Sequence, residues 1–242
     1  MHKSFGAAPV LADLDLAIPA GSISVILGPS GTGKSVLLKH VIGLLRPDHG
    51  EIDVLGEPVS RMARHEIWDL RKRVGILFQD GALFGSMNVF DNVAFPLRQH
   101  TDMTETEIEE IVLRRLQDVG LAGAWALMPG QLSGGMRKRV GFARALVLDP
   151  EIVLFDEPDS GLDPVRTALL CELILETHER RGGTYVLITH DILSARRVAQ
   201  FIALLWKGQI QQAGAIEDML SSEDPFVRQF LSGDCIGPLG MD

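Results

Sequence analysis

The run Gly28-Pro29-Ser30-Gly31-Thr32-Gly33-Lys34-Ser35 constrains this chain more than any other segment. It has the form GxxxxGK[ST], which works only in one local context. A buried strand must deliver the chain to the first glycine, and a helix must begin near the lysine. The sequence supplies both. Ile23 to Leu27 is an apolar run of strand length that ends at Gly28. From Gly33 to Leu45, the residues Leu37, Leu38, Val41, Ile42 and Leu45 recur at the i, i+3, i+4 spacing of one inward helix face. Glycines let successive N–H groups turn toward one centre, and the helix N-terminus adds donors, so the segment is a cradle for phosphate oxygens. Lys34 is placed as a point charge for the outer phosphates, and Ser35 as a hydroxyl ligand of Mg²⁺.

The remainder reads as an α/β chain. Leu14, Leu16 and Ile18 alternate with Asp13, Asp15 and Ala17, the pattern of a half-buried strand. Glu51 to Leu55, Val74 to Leu77, Ile152 to Phe155, Tyr185 to Thr189, Ala203 to Trp206 and Gln209 to Gln212 read as further strands. Asp163-Pro164 places a capping residue before a proline at the first helical position. A helix is expected over roughly 192–198. Strands that alternate with helices imply a mainly parallel sheet. From about Asn88 to Leu148 the periodicity is helical, and Thr104 with Glu107 forms a capping-box pattern before Ile108, Ile111, Val112 and Leu116. The expectation is one domain over 1–242, with a helical subdomain inserted at approximately 85–148 and a C-terminal tail from about 222.

Composition narrows the classes. The chain has 242 residues, a size that suits one large domain. Its net charge of −9 argues against broad nucleic-acid binding, which wants a basic stripe. Cys171 and Cys235 form no CxxC and read as two reduced thiols. His65-Glu66 and His178-Glu179 lack the second histidine of HExxH, so no zinc site is expected. The N-terminus shows no apolar signal run, and no stretch approaches the roughly 18–20 apolar residues of a membrane span. Any work at a membrane would go through a partner.

Two further segments carry chemistry. Ile152-Val153-Leu154-Phe155 runs into Asp156-Glu157, which puts two carboxylates at the C-terminal end of a strand, where α/β sheets bind ligands. Asp156 can hold the Mg²⁺ shell, and Glu157 can reach an attacking water. Leu132-Ser133-Gly134-Gly135 starts a helix with bare backbone donors, a second anion site. One nucleotide does not need two cradles so far apart in sequence. Ser133 could therefore serve a nucleotide on another copy of the chain, or it could simply cap a helix. Arg71-Lys72-Arg73 and Arg137-Lys138-Arg139 read as solvated faces. Phe84, Met87, Val89, Phe90 and Phe95 fit either helical core or an apolar groove for a partner helix. Phe226, Phe230 and Leu231 either cap the core or pack on a second subunit.

The order of these motifs resembles the ABC ATPases. The phosphate loop, Gln79, the LSGG run at 132–135, the FDEP run at 155–158, Ser160-Gly161-Leu162-Asp163 and His190 follow one another as they do in that family. The resemblance implies a P-loop α/β core with an antiparallel β part and a helical subdomain, closing head to tail as a homodimer on two ATP molecules. It implies that Gln79 touches the metal or the water and senses the permease, and that His190 contacts the γ-phosphate. Asp163 would link the two sites, and Ser133, Gly134 and Gly135 would complete the opposite one. Phe5, 23 residues before Gly28, would stack on adenine. Family members usually carry a strand before the segment equivalent to Lys3-Ser4-Phe5-Gly6, and most of it is expected to be missing here. Asp156 to Val165, Phe78 to Phe84 and Asp224 to Leu231 are also similar to the ATPases of Mce/Mla lipid-transport systems, of the Mkl (MceG) type. That narrower resemblance implies a peripheral subunit on the cytoplasmic face of the membrane, energising a permease that moves lipid or sterol with extracytoplasmic Mce-domain proteins. Two other classes are less consistent. ABC ATPases acting on nucleic acid or ribosomes usually carry two cassettes or long coiled-coil insertions. A small kinase or GTPase has no use for LSGG, and no NKxD guanine motif is present.

Overall fold

The structure, a computed structural model, describes residues 1–239. A hairpin comes first, in which β1 (Lys3–Phe5) pairs antiparallel with β2 (Ala8–Leu11). β3 (Ile23–Leu27) is buried at every residue and leads through the phosphate loop to α1 (Lys34–Val41). β4 (Asp53–Val54) and β5 (Glu57–Pro58) form a small antiparallel ladder. α2 (Arg64–Lys72) precedes β6 (Val74–Leu77). Then come α3 (Val89–His100), α4 (Glu105–Asp118) and α5 (Gly134–Leu146), each begun by a side-chain cap. Asn88, Thr104 and Ser133 accept hydrogen bonds from the amides of Asp91, Glu107 and Met136. β7 (Ile152–Asp156) leads to α6 (Pro164–Arg181), then β8 (Thr184–Thr189), α7 (Ile192–Val198), β9 (Phe201–Trp206), β10 (Gln209–Ala215), α8 (Ile216–Leu220) and α9 (Pro225–Ser232).

These elements form two compact units. The first holds residues 1–61 and the chain from 188 onward; the second holds 62–187. In the first unit β3 lies parallel to β9, with Val25 opposite Ile202, and β10 runs antiparallel along the far side of β9. β3 and the centre of β9 are buried on both faces and are apolar apart from Ser24, as strands covered on both sides tend to be. β10 alternates exposed and half-buried residues and faces water on one side. The tail closes this unit's own core. The Phe226 ring lies 5.6 Å from that of Trp206, and Val227 and Leu231 are buried.

In the second unit β6 lies parallel to β7, with Gly75 opposite Val153, and the strand order is β8-β7-β6. α3, α4 and α5 pack on one another, and α5 packs on β6. An aromatic row crosses the core, with ring centroids 5.2 Å apart for Phe142–Phe155 and 5.6 Å for Phe155–Tyr185. Burial pushes the Tyr185 hydroxyl up to about 12.

Several sequence expectations need correction. No strand covers Leu14 to Ile18; the extended pair is β1–β2. Asp13 has φ 58°, which breaks an extended run, and only Leu14 of the alternating set is buried. The helix after the phosphate loop stops at Val41 instead of Leu45, because Gly43 turns left-handed with φ 63°. The strand expected over Glu51 to Leu55 shrinks to β4, where Leu55 takes φ 54° ahead of Gly56.

Candidate nucleotide site

The first unit carries the phosphate loop. Gly33 has φ 99°, and a Cβ there would lie 2.8 Å from the Leu11 side chain and 3.0 Å from the Val10 carbonyl. Only glycine fits both demands. Gly33 is also the N-cap of α1 and has no side chain to satisfy the first-turn amides. Lys34 is 4% exposed, and its Nζ donates to the carbonyls of Gly28 at 2.8 Å and Pro29 at 2.7 Å. Thr32 Oγ1 donates to the Pro29 carbonyl as well. The loop is thus curled around its own ammonium, with Ser30 and Gly31 exposed and Ser35 half-buried on the first turn. A glycine-rich loop that opens a helix with no side-chain cap and encloses a buried cation fits a polyphosphate.

Two other expected residues lie in this unit. His190 is exposed directly after β8. The turn that carries it is fixed by Asp191, which caps α7 at the Leu193 amide and accepts from Ser194 Oγ, while its own amide donates to Thr189 Oγ1. Phe5 is 49% exposed on β1 with Lys3 Nζ 5.7 Å from its ring centroid, so one aromatic surface is open to stacking.

The second unit carries the carboxylates. β7 ends at Asp156, and Glu157 follows with φ 48°, a left-handed backbone that side chains seldom adopt. Both residues are half-buried. Gln79, just beyond β6, is exposed and donates from Nε2 to Ser160 Oγ at 3.1 Å. Asp163 caps α6, accepting from the amides of Val165 and Arg166 at 3.1 and 3.0 Å. The Arg166 amide, above all, holds its carboxyl below the usual carboxylate range. Ser133 caps α5 and is exposed, with Gly134 and Gly135 half-buried beside it. Hydroxyl, carboxylate and amide oxygens from Ser35, Asp156 and Gln79 are hard donors of the kind Mg²⁺ takes alongside substrate phosphates.

The basic run at 137–139 is not a solvated face. Lys138 is 4% exposed and donates to main-chain carbonyls beyond Glu157. It sits four residues before Phe142 and seven before Ala145, both buried on α5, so helical spacing already pointed it inward. Sequence reasoning also missed Arg144, whose guanidinium donates to the carbonyls of Gly81 at 2.7 Å and Ala82 at 2.9 Å. The aromatic group after Gln79 divides. Val89 is fully buried, whereas Phe84 is 41% exposed and packs its ring on Phe95 with centroids 4.8 Å apart. Phe84 and Phe95 line a groove of about 410 Å³ with Ile76, Phe78 and Pro96.

Comparison with known proteins agrees with this layout. The sequence profile described as "ABC transporter" matches residues 11–160. The probable ribonucleotide transport ATP-binding protein mkl of Mycobacterium leprae is 53% identical over 241 residues, 100% of this chain and 70% of that protein. The intermembrane phospholipid transport system ATP-binding protein MlaF of Escherichia coli is 43% identical over 227 residues, 94% of this chain and 84% of that protein. Among solved structures, a dimeric ATP-binding cassette in a post-hydrolysis state with ADP and Pi superposes with a TM-score of 0.81 at 30% identity, covering 89% of this chain and 95% of that one. A Clostridium perfringens cassette, part of the ABC transporter complex cbiONQ, gives 0.83 at 28%, covering 95% and 92%.

Proposed function

We propose a lipid-transport role for this chain, which belongs to the ABC transporter family of ATP-binding subunits and, as a member, binds and hydrolyses ATP. The single observation that carries the cargo class is its 43% identity to the phospholipid transport protein MlaF over 94% of its length. The mkl proteins, closer at 53%, bear the name of ribonucleotide transport, so the two cargo classes are separable readings.

In this reading the whole chain is one ATPase domain with a helical subdomain at approximately 85–148. Two copies close head to tail on two ATP molecules. Dimeric cassettes among the structural neighbours support that assembly. The amides of Gly28, Pro29, Ser30, Gly31, Thr32 and Gly33 wrap the phosphates, Lys34 faces the outer oxygens, and Phe5 stacks on adenine. Ser35, Asp156 and Gln79 would hold Mg²⁺, which withdraws charge from the β- and γ-phosphates when bound. Glu157 accepts a proton from the attacking water, a role worth roughly 10²–10⁴ in rate. His190 steadies the γ-phosphate. Ser133, Gly134 and Gly135 complete the site of the partner subunit, and Asp163 ties the two sites together.

Among the described residues no helix is long and apolar enough to cross a membrane. In this reading the chain meets the cytoplasmic face of the membrane through an integral permease, with Mce-domain proteins beyond it, as the transport-system names of its relatives suggest. The groove at Phe84 and Phe95 would seat a permease helix, its rim carrying Arg71, Lys72 and His100.

The test uses tagged Glu157→Gln chain expressed in its native host. Turnover should nearly vanish while an ATP-bound dimer accumulates. Membranes solubilised with ATP and Mg²⁺ should yield a multi-span permease, Mce-domain proteins and bound lipid by mass spectrometry. A permease with ribonucleotide and no lipid would overturn the lipid reading. Wild-type turnover in the variant would remove Glu157 from its role.

A further inference from the structure

The candidate base of this site sits on an unfavourable piece of backbone. A non-glycine residue in the left-handed region costs about 1–2 kcal/mol, and Glu157 is there with φ 48°. Such a conformation persists only when surrounding structure over-determines it. Around Glu157 the turn is closed by the Ser160 amide, which donates to the Glu157 carbonyl at 3.2 Å, and it is gathered by one buried ammonium. Lys138 Nζ donates to the carbonyls of Ser160 at 2.5 Å and Pro158 at 2.8 Å, and lies 3.5 Å from that of Glu157 itself. The three donors of an ammonium thus meet three carbonyls spaced along one turn. Burial pulls the Lys138 pKa down, while the carboxylates of Asp159, Asp80 and Glu157 push it back up.

We propose that Lys138 is a positioning residue for ATP hydrolysis, pinning the turn that presents Glu157 to the same helix that begins at Ser133. Ser133 and Lys138 are five residues apart on α5, about 7.5 Å along one rigid axis. Arg144, on the next turns of α5, grips the carbonyls of Gly81 and Ala82, so the segment after Gln79 is tied to that helix too. The approach there is direct. A Cβ on Gly141 would lie 3.0 Å from Gly81 Cα and its carbonyl oxygen. The Gln79 to Ser160 hydrogen bond closes the circuit between the two pinned loops. Contact with nucleotide at Ser133 can then shift α5 and be felt at Glu157 through fixed polar links rather than through soft side-chain packing.

This inference rests on Glu157 acting as the base, so the experiment measures both. Lys138→Met keeps the stem and removes every donor; Lys138→Arg keeps donors and charge. ATPase kinetics, thermal melts and nucleotide binding are recorded for these variants and for Glu157→Gln. Misplacing a reacting group by about 1 Å costs up to roughly 10²-fold, so Lys138→Met should lose about 10–100-fold in kcat with the KM for ATP nearly unchanged. Lys138→Arg should recover most of the lost rate. If Lys138→Met fails to fold, Lys138→Gln, neutral with two N–H donors, carries the same expected kcat loss at unchanged KM. Full kcat in the donor-free or neutral variant, with Glu157→Gln inactive, overturns the inference alone. Equal losses in kcat and nucleotide affinity, with no recovery in Lys138→Arg, overturn it as well. Full turnover in Glu157→Gln removes the premise instead.

Discussion

Gly28→Ala is the sharpest test of the phosphate loop, because its cost is steric and can be read from one contact. A Cβ at Gly28 would lie 2.3 Å from the Leu205 carbonyl oxygen of β9, 3.3 Å from its carbon and 3.2 Å from Thr32 Oγ1. Side-chain carbons do not come closer than 3.0 Å to such atoms, so something must withdraw by about 0.7 Å. β9 is held in register beside β3, with Leu27 opposite Leu204, one residue from the clash. The loop is the part that moves. Overpacking of this kind costs typically 1–3 kcal/mol, and a main-chain neighbour places Gly28 at the upper end. For a chain of this size each kcal/mol lowers Tm by about 2–4 °C, giving a fall of roughly 4–12 °C. ATP affinity should drop about 10-fold or more, since the loop amides are displaced together. Gly31→Ala is the control. Gly31 has φ 81° but open space around the Cβ position, so it reports backbone strain alone, about 1–2 kcal/mol. Thermal melts and titration with a fluorescent ATP analogue suffice. A Gly28→Ala chain that melts and binds like wild type would refute the steric reasoning.

Two other outcomes follow from buried polar groups. His40 is 1% exposed, its Nδ1 faces the Val36 carbonyl at 2.7 Å, and burial, aided by Lys3, depresses its pKa below 6.5 against the smaller pull of Asp48 and the Val36 and Arg46 carbonyls. Below about pH 6.5 the unfolded chain therefore binds more protons than the folded one, and stability declines as pH falls, by up to about 1.4 kcal/mol per pH unit. Urea titrations at pH 7.5 and 5.5 should show a smaller acid loss in His40→Leu than in wild type; equal losses would acquit His40. Asn92, fully buried, donates to the carbonyls of Phe84, Met87 and Asn88 and accepts from the Phe84 amide at 2.8 Å. Asn92→Ala strands these groups, about 2–4 kcal/mol, and a Tm within 1 °C of wild type would contradict that.

The most legible parts of the sequence were those where one local rule decides the structure. The phosphate loop was readable because a strand, three glycines and a helix must coincide at Gly28–Ser35. α6 was readable from Asp163-Pro164, and Asp224-Pro225 repeats that signature at α9, where it could have located the last helix. β1 and β2 are three and four residues long, too short for periodicity to speak. The alternation at 13–18 misled because period-2 burial needs no strand once Asp13 turns left-handed. In the candidate site, the motifs were visible in the sequence but the clamps around them were not. Helical spacing turns Lys138 inward, but the main-chain carbonyls that Lys138 and Arg144 clamp lie far away in sequence, and that information is three-dimensional.

The backbone at Glu157 has an evolutionary side. In a chain screened only for resistance to heat, position 157 would drift toward glycine or asparagine, which relieve the left-handed strain and sacrifice the carboxylate. Stability-guided redesign would thus count position 157 among the left-handed non-glycine positions to relieve, and relieving it would erase the candidate base while the fold gained stability.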